Sequence, residues 1–134
     1  MVSTNLLLDI ISYMTDQGVV TGAAQDIFYG KFPNKPDNII VLMEYSGNAA
    51  FVADFGLRSI QVNVRYNDDD NARSKAWDIY NLFHSQDIED RIINLTSSRW
   101  AIFSCRQSPF KLKEDENKRS IYVFNMGVTA KDET

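Results

Sequence analysis

The chain has 134 residues, 44% of them hydrophobic and 24% charged, and a formal net charge of −4. A length of this order is one domain with one core, the composition excludes a disordered chain, and no run approaches the roughly 20 apolar residues needed to span a bilayer. The acidic balance excludes a protein that grips nucleic acid through clustered Lys and Arg, but not a surface that DNA slides past without sticking.

Ser3 or Thr4 is placed to cap a first helix whose Leu6, Leu7, Ile10, Ile11 and Met14 form one apolar stripe, and Gly18 is placed to end it. The run Leu6 to Met14 lacks a basic start and carries Asp9, so it reads as a helix and not as a signal peptide. Gln25 to Tyr29 is a short strand candidate. In the loop Gly30 to Asn38, Pro33 and Pro36 block both helix and central strand, and the loop is expected to cross the surface.

Ile39 to Tyr45 is rich in β-branched and large apolar residues and reads as a buried strand. In the strand Leu57 to Tyr66, Ile60, Val62, Val64 and Tyr66 alternate with Ser59, Gln61, Asn63 and Arg65, the period of a sheet with one buried face and one free to meet partners. Between these strands, Gly47 to Gly56 carries Phe51, Val52 and Phe55 among small residues. It is either an extension of the two strands into a hairpin or a loop with exposed apolar side chains.

A second helix follows, with Ala72, Ala76, Ile79, Tyr80 and Phe83 on one side and Ser74, Lys75, Asp78, Asn81 and Ser85 on the other. Asp68, Asp69 and Asp70 stand at its start. A calcium loop needs Gly at its sixth position and Glu at its twelfth, which no starting point in the cluster supplies, so these acids read as caps that oppose the helix dipole. His84, the sole histidine, falls at the helix end, a structural position.

Ile92 to Leu95 is a short apolar piece, and Arg99 to Arg106 a strand candidate in which Ala101, Phe103 and Cys105 alternate. Cys105, the lone cysteine, reads as a small core residue and fits a reducing compartment. Trp77 and Trp100 are expected in the core because of the area they bury. In the last strand, Ser120 to Ala130, either Tyr122, Phe124, Met126 and Val128 or the intervening set faces inward, the aromatic set being heavier. Residues Lys131 to Thr134 read as a frayed tail.

Between those strands, Gln107 to Arg119 crowds charges of both signs and is expected to be a mobile hairpin tip with nothing to bury. The expected fold class is α+β. Two helices pack on one face of a mainly antiparallel sheet, in the order helix, three strands, helix and two or three strands, as one domain over residues 1–134. A Gly-rich phosphate loop and paired Cys or His are absent from the sequence, so no catalytic residue, metal or cofactor is expected. The candidate site is a partner-binding one: Phe51, Asp54 and Phe55 in the first loop, and Lys111, Lys113, Glu114, Asp115, Glu116, Lys118 and Arg119 in the second.

The opening helix with Asn5-Leu6-Leu7-Leu8-Asp9-Ile10-Ile11, the strand Ser59-Ile60-Gln61-Val62-Asn63-Val64-Arg65-Tyr66, the helix Ala72 to Phe83 entered through Asp68-Asp69-Asp70, and the final charged hairpin share one layout. It resembles that of the tail-completion, or tail-to-head joining, proteins of long-tailed bacteriophages, sometimes labelled minor capsid proteins and akin to tail terminators. The resemblance spans nearly the whole chain. It implies a ring at the head-proximal end of the tail, a hexamer in similar proteins and possible as monomers in solution. Such a ring caps the tail tube protein, binds the head-completion protein of the connector and leaves a lumen for DNA. It further implies a virion protein assembled in the host cytoplasm, with no membrane partner. Six copies at −4 each would carry −24, a charge that lets DNA pass without capture. The alternative reading is a free-standing α/β protein-binding module or adaptor.

Overall fold

A computed structural model describes residues 6–45, 55–84, 92–95 and 100–131. Helix α1 (Leu6–Asp16) precedes strands β1 (Ile27–Tyr29), β2 (Ile39–Tyr45) and β3 (Phe55–Tyr66). Helix α2 (Asp69–Phe83) follows, then β4 (Ile92–Asn94), β5 (Trp100–Cys105), β6 (Phe110–Glu114) and β7 (Ser120–Lys131). The strands form one sheet in the order β1-β2-β3-β7-β5-β4, with β6 also paired to β7; β1 is parallel to β2 and the other pairs are antiparallel. The α+β class and the element order are those expected from the sequence, with β6 as an addition.

Both helices end where local chemistry predicts. Gly18 has φ of +79°, its N–H donates to Thr15 O at 3.1 Å, and the Val19 N–H donates to Met14 O at 3.2 Å. These are the two closing bonds of a Schellman end, which needs a left-handed residue and so favours glycine. At the start of α2 the Asp68 carboxylate accepts the Asn71 N–H at 3.0 Å, the expected cap. His84 closes the same helix, its N–H donating to Tyr80 O at 2.8 Å and its ring stacked on Tyr80 with centroids 4.7 Å apart. Ser3 and Thr4 lie outside the described residues.

The core lies between the helices and one face of the sheet. Leu6, Leu7, Ile10, Ile11 and Met14 of α1 and Ala72, Ala76, Ile79 and Phe83 of α2 join Ile40, Leu42, Ile60, Val62 and Val64 in one buried cluster. The heavier set of β7 faces them: Tyr122, Phe124, Met126 and Val128 pair in register with Val64, Val62, Ile60 and Arg58. Phe83 bridges the layers, 4.7 Å from Phe103 and 5.9 Å from Tyr13 between ring centroids. Burial of a side chain of that size contributes about 1.5–3 kcal/mol.

Three expectations are corrected. Trp77 and Trp100 are only partly buried. Trp77 falls off the stripe Ala72, Ala76, Ile79 and Phe83 and packs edge-on to Tyr80 at 5.3 Å, while strand alternation puts Trp100 on the face opposite Ala101 and Phe103. Size alone does not bury a residue whose phase points it outward. Second, the polar face of β3 is not open, since Ser59, Asn63 and Arg65 are all buried. Alternation reports polarity, and polar groups that find hydrogen bonds also enter interiors.

Third, Gln107 to Arg119 does bury something. Phe110–Glu114 is strand β6, and Arg119, at the end of the turn that follows, is 4% exposed. Its charge read as surface because its partners lie far away in sequence. Phe51, Asp54 and the rest of residues 46–54 lie outside the described residues, as do residues 132–134 of the expected tail.

Candidate interaction site on the second face of the sheet

The face of the sheet away from the helices carries Ile39 and Val41 of β2, Asn63 and Arg65 of β3, and Ile121 and Val123 of β7. All are buried and in direct register: Ile39, Arg65 and Ile121 form one row, and Val41, Asn63 and Val123 the next. The loop that joins the parallel strands β1 and β2 supplies part of the cover. Gly30, at φ +74°, donates its N–H to Leu42 O and turns the chain away from the sheet. The returning segment presents three carbonyl groups to Arg65, which donates from Nε to Asp37 O at 3.2 Å and from Nη2 to Asn34 O at 3.3 Å and Pro36 O at 2.8 Å. The ring of Phe32 lies 5.7 Å from the same guanidinium.

The β6–β7 turn supplies the rest. Asp115 organises it: Oδ1 accepts the N–H groups of Asn117 and Arg119 at 3.0 and 2.9 Å, and Oδ2 accepts Arg119 Nε at 2.8 Å. Lys118 sits at φ +62° within the turn. Arg119 then reaches the loop, donating from Nη1 to Asn34 O at 2.6 Å and Asp37 Oδ1 at 3.1 Å and from Nη2 to Asn34 Oδ1 at 2.9 Å. Two buried arginines thus tie three distant segments through carbonyl and carboxylate oxygens, the fork geometry that guanidinium groups suit.

The electrostatics follow from this geometry. Burial pulls the Arg65 guanidinium below its ordinary value, with the Arg119 charge adding to the effect and Asp115 and Asp37 opposing it. Burial pushes the Asp115 carboxyl up, but the Arg119 and Asn117 N–H groups outweigh it and the net shift is downward. Asp37 is held low by the Lys35 ammonium first and the Asn67 amide second.

A half-open cavity of about 510 Å³ lies over this knot. Phe32, Leu112 and Ile121 give it apolar walls, Asn63 and Arg65 its floor, and Lys113 and Glu116 its charged rim. Of the residues singled out in the sequence, the structure brings Lys113, Asp115, Glu116 and Arg119 to this cavity. It places Lys111 elsewhere: its ammonium pairs with Asp69 at 2.9 Å, and the Tyr122 hydroxyl donates to the same carboxylate at 3.2 Å. Glu114 and Lys118 are exposed, and Phe55 opens β3 opposite Lys131. Asn34, Asp37, Asn63 and Arg65 were missed, because a polar residue on an alternating strand or in a proline-bearing loop carries no local sign of burial. Among the described residues no group of three His, Cys, Asp or Glu side chains is placed to hold a metal ion, and no helix is long and apolar enough to cross a membrane.

Across residues 7–132 the chain matches a family model described as bacteriophage tail terminator protein. The chain belongs to the bacteriophage tail terminator family. Among curated proteins, none matches it. Tail terminators are structural proteins of the phage tail, so this chain is a structural component of the virion tail. Membership implies association with phage tail and head components. In this tail terminator the helices cover one face of the sheet, and the β1–β2 loop and the β6–β7 turn cover part of the other.

Proposed function

We propose that the chain caps the head-proximal end of the tail tube as a ring, stops tube growth there and joins the tail to the head-completion protein of the connector. The family match over residues 7–132 carries this reading. Subunits meet one another and the tail tube through two regions: Phe51, Asp54 and Phe55, and the hairpin turn with Lys113, Glu114, Glu116 and Lys118. The exposure of these hairpin side chains supports that assignment, whereas Asp115 and Arg119 hold the turn in shape. A net charge of −4 per subunit supports a lumen that DNA crosses without being held, because like charge repels the phosphates. The ring is a hexamer in the virion, assembled in the host cytoplasm, and free subunits are monomers until the tube supplies the missing contacts.

Electron microscopy of lysates from the parent phage with this gene deleted tests the proposal. Filled heads beside unattached tails, some of uneven length, are the expected result; normally joined particles would return the chain to the reading of a free-standing binding module. A finer version substitutes Lys113, Glu116 and Lys118 together by Ala, which spares Asp115. Loss of joining is expected with the fold retained.

A further inference from the structure

We propose that the second-face cavity docks a neutral carboxamide, the side chain of an Asn or Gln flanked by apolar residues on an extended segment of another virion protein. The nature of the partner rests on the tail reading; the chemistry of the site does not.

Asn63 and Arg65 are each 3% exposed and line the cavity from the same face of β3. Arg65 spends Nε and Nη2 on the carbonyl groups of Asp37, Asn34 and Pro36, while its Nη1 has no acceptor among the described residues. Asn63 donates from Nδ2 to Val41 O at 3.3 Å, and its Oδ1 has no donor among the described residues. Two residues that line one cavity therefore carry a buried donor and a buried acceptor without partners among the described residues, a condition that destabilises a protein unless something bonds them.

The hydrogen-bonding pattern selects the ligand. A carboxylate would satisfy Nη1 and bring its charge beside Asp115 and Glu116, but it carries no donor for Asn63 Oδ1. A carboxamide offers its oxygen to Arg65 and its NH₂ to Asn63. Asn63 and Arg65 are next neighbours on that face of β3, and a planar amide carries its acceptor and donor side by side. Phe32 and Leu112, 41% and 51% exposed, are the apolar walls for the flanking residues. The volume of about 510 Å³ falls within the range of built ligand sites, about 300–1,000 Å³. Strand β6, which contributes Leu112 and Lys113 to the cavity, is exposed throughout, so that wall is open to a partner segment.

The test titrates the full ¹⁵N-labelled chain with N-acetyl-Leu-Gln-Leu-N-methylamide, whose only primary carboxamide is the Gln side chain, and with the counterparts carrying Glu or Leu at the centre. The expected result is a saturable shift of the Asn63 side-chain amide and Arg65 Nε–H signals by the Gln peptide, with the other two at least tenfold weaker. Leu112→Lys, at an exposed position that does not threaten folding, should weaken the Gln peptide about tenfold and leave core signals in place. Equal shifts from the Leu peptide, tighter binding of the Glu peptide, or no movement at millimolar peptide would each overturn the proposal. So would broadening of the same signals with protein concentration alone, which would assign the cavity to a second copy of the chain. None of these outcomes decides whether tails join heads, which the gene deletion reads separately.

Discussion

Arg119 closes the β6–β7 turn and donates from Nη1 to the carbonyl oxygen of Asn34, 85 residues earlier in the chain, at 2.6 Å. That bond joins the last hairpin to the loop between the first two strands, and with Arg65 beneath it the second face of the sheet becomes an interior.

Arg119→Leu should therefore be among the most damaging single changes on that face. It leaves Asp37, Asp115 and the Asn34 carbonyl without their shared donor next to a second buried guanidinium. Because Asp37 keeps some access to solvent, the loss should fall at the low end for a broken buried pair, roughly 3 kcal/mol, measured by urea denaturation. Arg119→Lys should recover less than half of it, since the three donors of one ammonium radiate from a single atom and cannot reach the four acceptors that the fork serves.

Stability should fall in acid, and Asp69 should contribute to the fall. Its carboxyl is held below the ordinary range by the Lys111 ammonium first, then by the Ser120 and Tyr122 hydroxyls. A depressed folded value means that the stabilisation is complete above the unfolded value, near pH 4, and is lost as pH falls through the folded one. Asp69→Asn should melt earlier than the parent at pH 7, fall less steeply below about pH 4, and draw level with the parent at the lowest pH. Melting temperatures across pH 2–7 would check it.

Gly18→Ala should cost about 1 kcal/mol through backbone strain alone. At φ +79° a side chain is disfavoured, yet an added Cβ would meet no atom within 4 Å, so crowding contributes nothing. Gly18→Asn should cost less, because Asn tolerates the left-handed region; guanidinium denaturation of the pair would separate conformation from packing.

Phe83→Ala should lose about 3–5 kcal/mol, since the ring is 1% exposed and lies against both Phe103 and Tyr13. Trp77→Ala, despite the larger side chain removed, should lose clearly less because that indole is only half-buried on the outer side of α2. Calorimetry on both variants gives the order directly, and a larger loss at Trp77 would contradict the observed phase of the helix.

The sequence by itself determined the described elements other than β6, and the helix-facing core. The stripe Leu6, Leu7, Ile10, Ile11 and Met14, the alternation Ile60, Val62 and Val64, the Asp68 cap and the Gly18 stop are all local signals, written within one or two turns or a few strand residues. Even the inward set of β7 followed from its heavier side chains. Only the tertiary structure decided the other face. Arg65 and Arg119 look like surface charges within their own segments, and Asn34 and Asp37 look like ordinary loop residues. Their burial depends on hydrogen bonds between positions that only the β2-β3-β7 order brings together. A buried polar group is recognised by its partners, and partners set by topology leave no periodic trace in the chain.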